Sequence, residues 1–411
     1  MLVNQAFEDR AYLLDKAGAM VNLLKNITDV SGEARIEIRQ QQATKALFFI
    51  AGFGVAAWAP LVPFIKARFS LAEDTLGLLL LCIGLGSAVA MPLAGVAAGR
   101  FGCQKVLGVV GGAYALILLS LSLITNMTAL TVTLLIFGAT MGVLDVVVNL
   151  HAVLVEKKSG KRLMSGMHGL WSVGGFLGSA AFSALMYLGL SPAATVLSIV
   201  AIMLVILRVF VPHLLSRGDD TPASAAFVFP KGIMTVIGAL CAVSFLVEGA
   251  VLDWGGVFLT SMRDFDLSLA GFAYAAFSGA MLIVRLMGDR IVRQLGEKNV
   301  VIGGGLVAGC GFLLVILAPA PVLSLAGFSL VGAGAANIVP VFYSLLGRQK
   351  IMPISAAVSS VTAIGYLGIL MGPALIGFVA HRTSLILAFG MLAGLFLVQA
   401  VMAKYVFRVV R

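Results

Sequence analysis

The sequence predicts an all-α membrane protein with twelve transmembrane helices. Apolar residues (Ala, Val, Ile, Leu, Met, Phe, Trp, Tyr and Cys) make up 60% of the 411 positions. Charged residues make up only 11%, whereas an ordinary soluble domain carries about 25%. Apolar stretches of about 20 residues, the length that crosses the hydrocarbon core of a bilayer, recur along the chain. This composition excludes a soluble enzyme, a nucleic-acid-binding protein and a disulfide-stabilised secreted module.

The apolar stretches define twelve predicted spans, and some of them are joined by very short connections. Only antiparallel neighbouring helices fit connections as short as Thr125–Thr128 and Ala318–Pro321. The approximate limits of the spans are 46–65, 75–98, 105–125, 128–153, 167–189, 191–213, 233–258, 267–287, 299–318, 321–346, 353–379 and 383–407.

The chain also contains an internal repeat with an offset of 194 residues. The positions that match at this offset include Gly102 with Gly296, Val106 with Val300, Gly111 with Gly305, Gly138 with Gly332, Gly174 with Gly368 and Gly178 with Gly372. Six spans per half predict two parallel, pseudo-symmetric bundles related by an axis along the membrane normal. The predicted organisation is a tail over 1–43, a bundle over 44–215, a linker over 216–230 and a second bundle over 231–411.

The distribution of Lys and Arg predicts the orientation of the chain in the membrane. The net charge is +10, and the basic residues cluster in alternate loops. If the N-terminus is inside, 18 of them are cytoplasmic, and the outer loops hold only four, which are Lys66, Arg68, Arg263 and Arg382. The positive-inside rule therefore places both termini in the cytoplasm. We expect a monomer in the inner membrane that binds no nucleic acid.

The tail over 1–43 leaves two alternatives open. Its apolar residues Leu13, Ala17, Met20, Val21 and Leu24 can form one stripe on a helix, which suits a helix lying on the inner leaflet. The alternative is a loosely ordered segment with little role.

Three carboxylates away from the span ends, Asp145, Glu248 and Asp253, are the first candidates for function. A charged group at this depth costs several kcal/mol, so such residues usually face a polar cavity and mark a substrate or proton path. The sequence places no Lys or Arg at a comparable depth, and proton uptake is then the simplest way to remove the charge. We therefore expect Asp145 and Glu248 to couple transport to protons.

Asp145 and Asn149 are four residues apart, so they share one face of the fourth span. Gly138 and Gly142 extend this face and would let another helix or a substrate approach closely. We expect Asn149 to contact the solute. The alternative is that Asp145 only fixes helix packing through a hydrogen bond.

Other polar and aromatic residues in the spans are further candidates for solute binding. Glu248 lies near the middle of the seventh span, whereas Asp253 and Trp254 approach its outer end. A wet outer vestibule would explain Asp253, and Trp254 either stacks on a sugar or anchors at the interface. The full set of expected solute contacts is Asn149, Glu248, Asp253, Trp254, Trp58, Asn337 and Tyr343.

The inner loops supply candidates for gating. His151 and His168 flank a basic loop, where a gate or a helix-end hydrogen bond is a better prediction than a proton relay. The other expected gating residues are Arg100, Lys105, Asp289, Arg290 and Arg293. No His, Cys or carboxylate spacing is typical of a metal site, and no Walker or Ser-His-Asp pattern is present, so we expect neither a metal, a cofactor nor an enzyme.

Several motifs resemble those of the major facilitator superfamily over nearly all of 44–411. The segment from Gly95 to Lys105 (GVAAGRFGCQK) is similar to the loop signature G-x-x-x-D-R-x-G-x-x-[RK], with Gly99 in place of the acid. Its counterpart in the second half contains Gly288-Asp289-Arg290. The missing acid removes the charge latch that the resemblance would otherwise imply in the first half.

Three further motifs resemble the fucose–galactose–glucose proton-symporter branch of that superfamily. They are Leu144-Asp145-x-x-x-Asn149, Glu248 with Trp254 six residues later, and the segment from Met167 to Gly175 (MHGLWSVGG). In this branch the acid of the fourth span carries the coupling proton, so the resemblance assigns that role to Asp145. The span 46–65 lacks the acid that binds fucose in the fucose permease, so fucose itself is not the expected solute.

The resemblance implies a proton-coupled secondary transporter for a small polar solute, with sugars and their derivatives as the first candidates. Two alternatives remain. One is a proton-driven exporter of drugs, sugars or metabolites, although the fifth span lacks the Gly-Pro pair of many antiporters and Gly372-Pro373 lies in the eleventh instead. The other is a membrane sensor that has kept the fold without transport.

Overall fold

The structure, a computed structural model, describes residues 32, 35–160, 163–216, 230–346, 349, 351 and 354–410. Within these ranges, twelve helices are long and apolar enough to cross a membrane. We number them in chain order as α1 (Arg35–Arg68), α2 (Glu73–Phe101), α3 (Cys103–Leu123), α4 (Met127–Ser159), α5 (Met164–Tyr187), α6 (Pro192–Phe210), α7 (Ile233–Met262), α8 (Phe272–Leu286), α9 (Glu297–Leu317), α10 (Pro321–Ala335 and Ile338–Leu346), α11 (Ile354–Arg382) and α12 (Leu385–Val409).

Short helices complete the described part of the chain. Two 3₁₀ turns, Val211–His213 and Leu267–Leu269, follow α6 and precede α8, and the helix Gly288–Leu295 lies between α8 and α9. All twelve predicted spans are confirmed, and most boundaries agree within a few residues. The stripe from Leu13 to Leu24 and residues 217–229 of the predicted linker lie outside the described residues.

The first helix begins earlier than its hydrophobic stretch predicts. The span was expected from residue 46, but α1 is already helical at Arg35. The added turns contain Glu, Arg and Gln, which favour helices even though they are polar. Gln40 is buried, and its Oε1 accepts a hydrogen bond from Lys158 Nζ at 3.2 Å. Contact with the end of α4 therefore extends α1 beyond the apolar segment.

The repeat seen in the sequence corresponds to repeated geometry in the two halves. Gly102 ends α2 with φ +84° and ψ 146°, and Gly296 occupies the matching position before α9 with φ +79° and ψ 146°. These left-handed conformations favour glycine because it has no Cβ. A Cβ at Gly138 would overlap the carbonyl of Ile83, and one at Gly332 would overlap that of Phe277, which is 194 residues after Ile83.

Two arginines close equivalent helix ends in the two halves. Arg68 donates to the carbonyls of Ser122 and Ile124 at the end of α3, at 2.8 and 3.0 Å. In the second half, Arg263 donates to the carbonyls of Val315 and Ile316 at the end of α9, at 3.0 and 2.7 Å. Both arginines satisfy carbonyls that the helix itself leaves unpaired, next to the negative end of the helix dipole.

The two halves meet closely at the end of the bundle that carries Arg68 and Arg263. Helices α2 and α11 touch through glycines, since a Cβ on Gly77 would lie 3.1 Å from the Cα of Gly377. Helices α5 and α8 meet where Ser179 Oγ donates a hydrogen bond to the carbonyl of Gly271. Small residues allow this close backbone approach, so this end of the space between the halves is closed.

Candidate functional site

Asp145 lies where α4 of the first half faces α11 of the second half. Tyr366 Oη donates a hydrogen bond to Asp145 Oδ2 at 2.8 Å. Asn149 Nδ2 donates to the Asp145 carbonyl at 2.9 Å and is 3.3 Å from Asp145 Oδ1. The shared helix face of Asp145 and Asn149 is therefore confirmed. Among the described residues, no Lys or Arg forms an ion pair with Asp145.

Sequence reasoning missed Tyr366. It lies in an apolar stretch of α11, and 36% of its surface is accessible although its hydroxyl is bonded to the other half. Because the tyrosine faces α4, we interpret this accessible surface as lining the space between the halves. The sequence offered one signal for this residue, which is a tyrosine within a span next to Gly365 and Gly368. Both glycines pack against α7, so this part of α11 lies against another helix.

The prediction that Glu248 has no cationic partner is wrong. Arg285 Nη2 lies 3.9 Å from Glu248 Oε2, and the two side chains are 30% and 19% exposed. Arg285 was assigned to an inner loop because it is close to the end of its span. Helical side chains tilt towards the N-terminus of their helix, so the long side chain of Arg285 extends back along α8 to the level of Glu248.

Asp253 is buried at the closed end of the space between the halves. Trp58 Nε1 of α1 donates a hydrogen bond to Asp253 Oδ1 of α7 at 3.2 Å, and both residues are at least 90% buried. The suggested wet vestibule around Asp253 is therefore absent from this conformation. Trp58 contacts Asp253 rather than an open site, and its ring is 5.9 Å from that of Phe137.

Trp254 is fully buried in the same closed region. Its ring lies against α11, where Cζ2 is 3.0 Å from the position that a Cβ on Gly377 would take. Within the described ranges, its indole N–H has no hydrogen-bond partner. A fully buried ring does not lie at the membrane interface, so the prediction of an interfacial anchor is wrong for this conformation. The ring also has no exposed face on which a sugar could stack in this state, and its contact with a solute stays a prediction.

Asn337 and Tyr343 take part in helix contacts within the second half. Asn337 lies at the break of α10, where its Nδ2 is 3.5 Å from the carbonyl of Val284. Its Oδ1 occupies the space next to Gly288. Tyr343 Oη shares a hydrogen bond of 2.7 Å with Thr362 Oγ1 of α11. Both residues thus join α10 to neighbouring helices, and their contact with a solute stays a prediction.

His151 forms the helix-end hydrogen bonds that its position suggested. Its Nε2 accepts from the backbone N–H of Leu215 at 2.9 Å, so Nε2 carries no proton. Nδ1 must then be the protonated nitrogen, and it donates to Thr44 Oγ1 at 3.0 Å. Thr44 in turn donates to the Gln40 carbonyl at 2.7 Å. This chain of bonds fixes a neutral imidazole between α1, α4 and the segment after α6.

The other predicted gating residues lie at the opposite end from the closed contacts. His168 is exposed, and its ring packs edge-on against Phe48 at 5.0 Å. The side chain of Asp289 lies outside the described part of the structure. The basic residues of the loops after α2 and α8 are exposed, and these are Arg100, Lys105, Arg290 and Arg293.

The glycines next to Asp145 serve helix packing. A Cβ at Gly142 would lie 2.9 Å from the Cα of Ser87 on α2, and Ser87 Oγ donates to the Gly138 carbonyl at 2.7 Å. The sequence allowed either a helix or a substrate next to these glycines, and in the structure helix α2 packs against them. Across the described residues, no group of three or more His, Cys, Asp or Glu side chains could hold a metal ion.

Comparisons with known proteins agree with this architecture. The sequence profile of the Major Facilitator Superfamily matches residues 46–350. An uncharacterized MFS-type transporter of Yersinia pestis is 47% identical over 371 residues, which is 90% of this chain and 97% of the relative.

Solved structures of transporters share the fold at low sequence identity. The nucleoside transporter NupG, solved as a point mutant, matches with a TM-score of 0.73 and 15% identity over 90% of this chain and 100% of its own. The Escherichia coli fucose:proton symporter FucP matches with a TM-score of 0.58 and 17% identity over 90% and 99%. The chain is therefore a multi-pass membrane protein that belongs to the Major Facilitator Superfamily of transporters.

Proposed function

We propose that this protein is a proton-coupled secondary transporter of a small polar solute, with sugars and sugar derivatives as the first class to test. Asp145 carries the coupling proton. The observation that supports this role is the hydrogen bond of 2.8 Å from Tyr366 to Asp145, which links an acid of one half to the other half. A proton that binds there acts directly on the contact between the two moving bodies.

The chemistry of this bond couples protonation to movement. A hydrogen bond to an ionised carboxylate is roughly twice as strong as one between neutral groups. Protonation of Asp145 therefore weakens its link to Tyr366, and it also removes a charge from a site of low polarity. The weaker link favours separation of α4 from α11, whereas loss of the charge lowers the cost of burying the carboxyl group, so the protonation state biases the position of the two halves.

We assign this conformation to the state that is open to the cytoplasm. The closed end carries Arg68 and Arg263, which the positive-inside rule assigns to the outer face. The inner end carries most of the basic residues. In this state the accessible surface of Tyr366 faces the cytoplasmic side, and solute and proton exchange with the cytoplasm. We place the protein in the inner membrane with both termini in the cytoplasm.

The related structures support a polar solute. NupG is a nucleoside transporter, and FucP is a fucose:proton symporter. Nucleosides and fucose are both rich in hydroxyl groups, and solutes of this type need hydrogen-bonding side chains within the membrane. Asn149, Glu248 and Arg285 provide such groups between the closed end and the cytoplasmic side.

The test is a proton-flux assay with the purified full chain in proteoliposomes that contain a pH-sensitive dye. Sugars, polyols and nucleosides are added outside one at a time. A symporter acidifies the lumen when its solute enters. An antiporter of the exporting type makes the lumen alkaline instead, so the sign of the signal separates the two functions.

Variants locate the proton site within the same assay. We expect Asp145→Asn to abolish the pH signal, because asparagine keeps the acceptor for Tyr366 but cannot bind a proton. Tyr366→Phe should keep coupling with a slower rate. The matched control is Asp264→Asn, an exposed acid outside the spans at φ +50°, which asparagine tolerates well. Unchanged coupling in Asp145→Asn would exclude Asp145 as the carrier.

A further inference from the structure

Glu248 and Arg285 form a pair of opposite charges in the middle of the second half, between α7 and α8. Their nearest atoms, Arg285 Nη2 and Glu248 Oε2, are 3.9 Å apart. That distance exceeds the range of a hydrogen bond, so the two ions attract each other without a direct bond. Both side chains remain partly accessible, at 30% for Arg285 and 19% for Glu248. The pair therefore has room for a third group.

The pair also has hydrogen-bonding groups without protein partners. Arg285 uses Nε to donate to the Ala336 carbonyl at 3.2 Å, which fixes the plane of its guanidinium. Within the described residues, its four Nη–H groups and both oxygens of Glu248 make no hydrogen bond. Polar groups at this depth normally have partners in the protein, bound water or a ligand. Arg285 therefore offers donors in a fixed plane, and Glu248 offers acceptor oxygens that no hydrogen bond occupies within the described residues.

We propose that Arg285 and Glu248 are the specificity-determining pair for the solute, and that the solute is uncharged and carries adjacent hydroxyl groups. A hydroxyl is both a donor and an acceptor, so one oxygen can accept from Arg285 and donate to Glu248. With hydrogen bonds of about 2.8 Å, the angle at that oxygen is roughly 90°, not far from tetrahedral. A neighbouring hydroxyl reaches the remaining Nη–H or carboxylate oxygen.

The charge balance of the pair disfavours solutes with a net charge. A carboxylate would bind Arg285 but would be repelled by Glu248. An ammonium group would bind Glu248 but would be repelled by Arg285. At this depth such repulsion is screened little by salt or water. A neutral hydroxyl group meets no repulsion and leaves the two charges in contact.

Glu248 of the pair lies on the helix that packs against the donor of the proton site. Tyr366, the donor to Asp145, has its ring 6.2 Å from that of Phe245, which is three residues before Glu248 on α7. A solute bound to Glu248 therefore changes the field at the hydrogen bond that joins the halves. This inference rests on the proposed transport function, and it names the class of solute that the site selects.

The test is equilibrium binding to the detergent-purified full chain, measured by thermal shift and calorimetry. The neutral probes are D-glucose, D-galactose, D-xylose and myo-inositol. The charged counterparts are D-glucuronate, D-galacturonate, D-glucosamine and D-galactosamine. We expect at least one neutral probe to bind and to bind more tightly than its charged counterparts. Tighter binding of a charged counterpart, or binding of no probe, overturns the proposal.

Single substitutions should then change the charge preference in opposite directions. Glu248→Gln should lower the affinity for the neutral probe roughly tenfold to a hundredfold, as expected when a hydrogen bond to a charged group is lost. The same variant should gain binding of the uronate, because the repelling carboxylate is gone. Arg285→Gln should gain binding of the amino sugar instead, and Arg285→Lys should keep the neutral preference with weaker binding.

Arg208→Gln is the matched control, since Arg208 is an exposed arginine in the last turn of α6. It should bind all probes as the wild type does. If Glu248→Gln and Arg285→Gln lose binding without any change in charge preference, the pair supports the structure and does not select the solute. Binding in detergent needs no proton gradient, so failure of proton coupling in vesicles would leave this result intact, and the two proposals can fail separately.

Discussion

Asp145 and Asp253 are both acids within the membrane that accept a hydrogen bond from an aromatic side chain of the opposite half. Tyr366 Oη donates to Asp145 at 2.8 Å, and Trp58 Nε1 donates to Asp253 at 3.2 Å. Their surroundings differ. Tyr366 is 36% exposed, whereas Trp58 and Asp253 are only 2% and 7% exposed. The link at Asp145 is thus the more accessible of the two.

This difference in exposure indicates that two hydrogen bonds of the same type serve different purposes. The accessible link is suited to carry a proton, while the sealed link is suited to hold the outer end closed. Trp58 and Asp253 are 195 residues apart, one more than the repeat offset. They therefore occupy nearly equivalent positions of the two halves.

The largest expected contrast is between the two asparagine variants of these acids. Asp145→Asn should abolish the solute-dependent pH change in proteoliposomes, whereas Asp253→Asn should keep it. The amide oxygen of asparagine still accepts the hydrogen bond from Trp58, so the closed end stays intact. Initial rates from the luminal pH dye measure both effects. An equal loss of coupling in both variants would show that the two links do not differ in function.

The closed end itself can be disrupted by a single methyl group. A Cβ on Gly377 would overlap the carbonyl of Glu73 and lie 2.9 Å from the Cα of Gly77. Overpacking of this type costs about 1–3 kcal/mol, so Gly377→Ala should shift the protein about tenfold to a hundredfold towards outer-open states. Gly394→Ala is the control, because nothing lies within 4 Å of its added Cβ.

Labelling of one introduced cysteine measures this opening. Ser183 is buried at the α5–α8 contact, and its hydroxyl has no hydrogen-bond partner in the part of the chain that the structure describes, so Ser183→Cys causes little disturbance. The background replaces the four native cysteines by alanine. A membrane-impermeant maleimide should react faster with the Gly377→Ala form than with the Gly394→Ala form. Equal rates would mean that the α2–α11 contact does not control access from outside.

The fold was predictable because the bilayer imposes a simple requirement on the sequence. Each crossing needs about 20 apolar residues, so hydropathy alone located all twelve helices. The glycine repeat located the pseudo-symmetry because close helix contacts, such as Gly138 with α2 and Gly332 with α8, tolerate no side chain. The start of α1 was missed, since the polar turns around Gln40 are stabilised by contact with α4 rather than by lipid.

The site was predictable only in part, because the local sequence around an acid does not show which side chains of other helices contact it. The pair Asp145 and Asn149 follows from helix spacing, and the structure confirms their shared face. Tyr366 and Arg285 contact their acids from other helices, so no local spacing revealed them. Arg285 was further hidden by its position in the last turn of α8, which hydropathy assigns to a loop.

Removal of the sealed hydrogen bond should have a smaller effect than added bulk. Trp58→Phe keeps an aromatic ring beside Phe137 but leaves Asp253 buried without its donor. A buried acceptor that loses its partner costs about 1–2 kcal/mol, so the labelling rate at Ser183→Cys should rise about tenfold. The double variant Trp58→Phe with Asp253→Leu should be closer to wild type, because no unpaired acceptor remains. Faster labelling in the double variant would contradict this account.

The smallest effect is expected at the outer rim, where the halves share an ion pair that water reaches. His381 Nε2 of α11 lies 3.6 Å from Asp74 Oδ2 of α2, and the two side chains are 44% and 38% exposed. Exposed pairs of this type contribute less than about 1 kcal/mol. Asp74→Asn should therefore raise the labelling rate at Ser183→Cys by no more than about fivefold. About 1 M salt should remove the difference from wild type by screening. A larger, salt-resistant effect would mean that the rim holds the closed state more strongly than the sealed bond between Trp58 and Asp253.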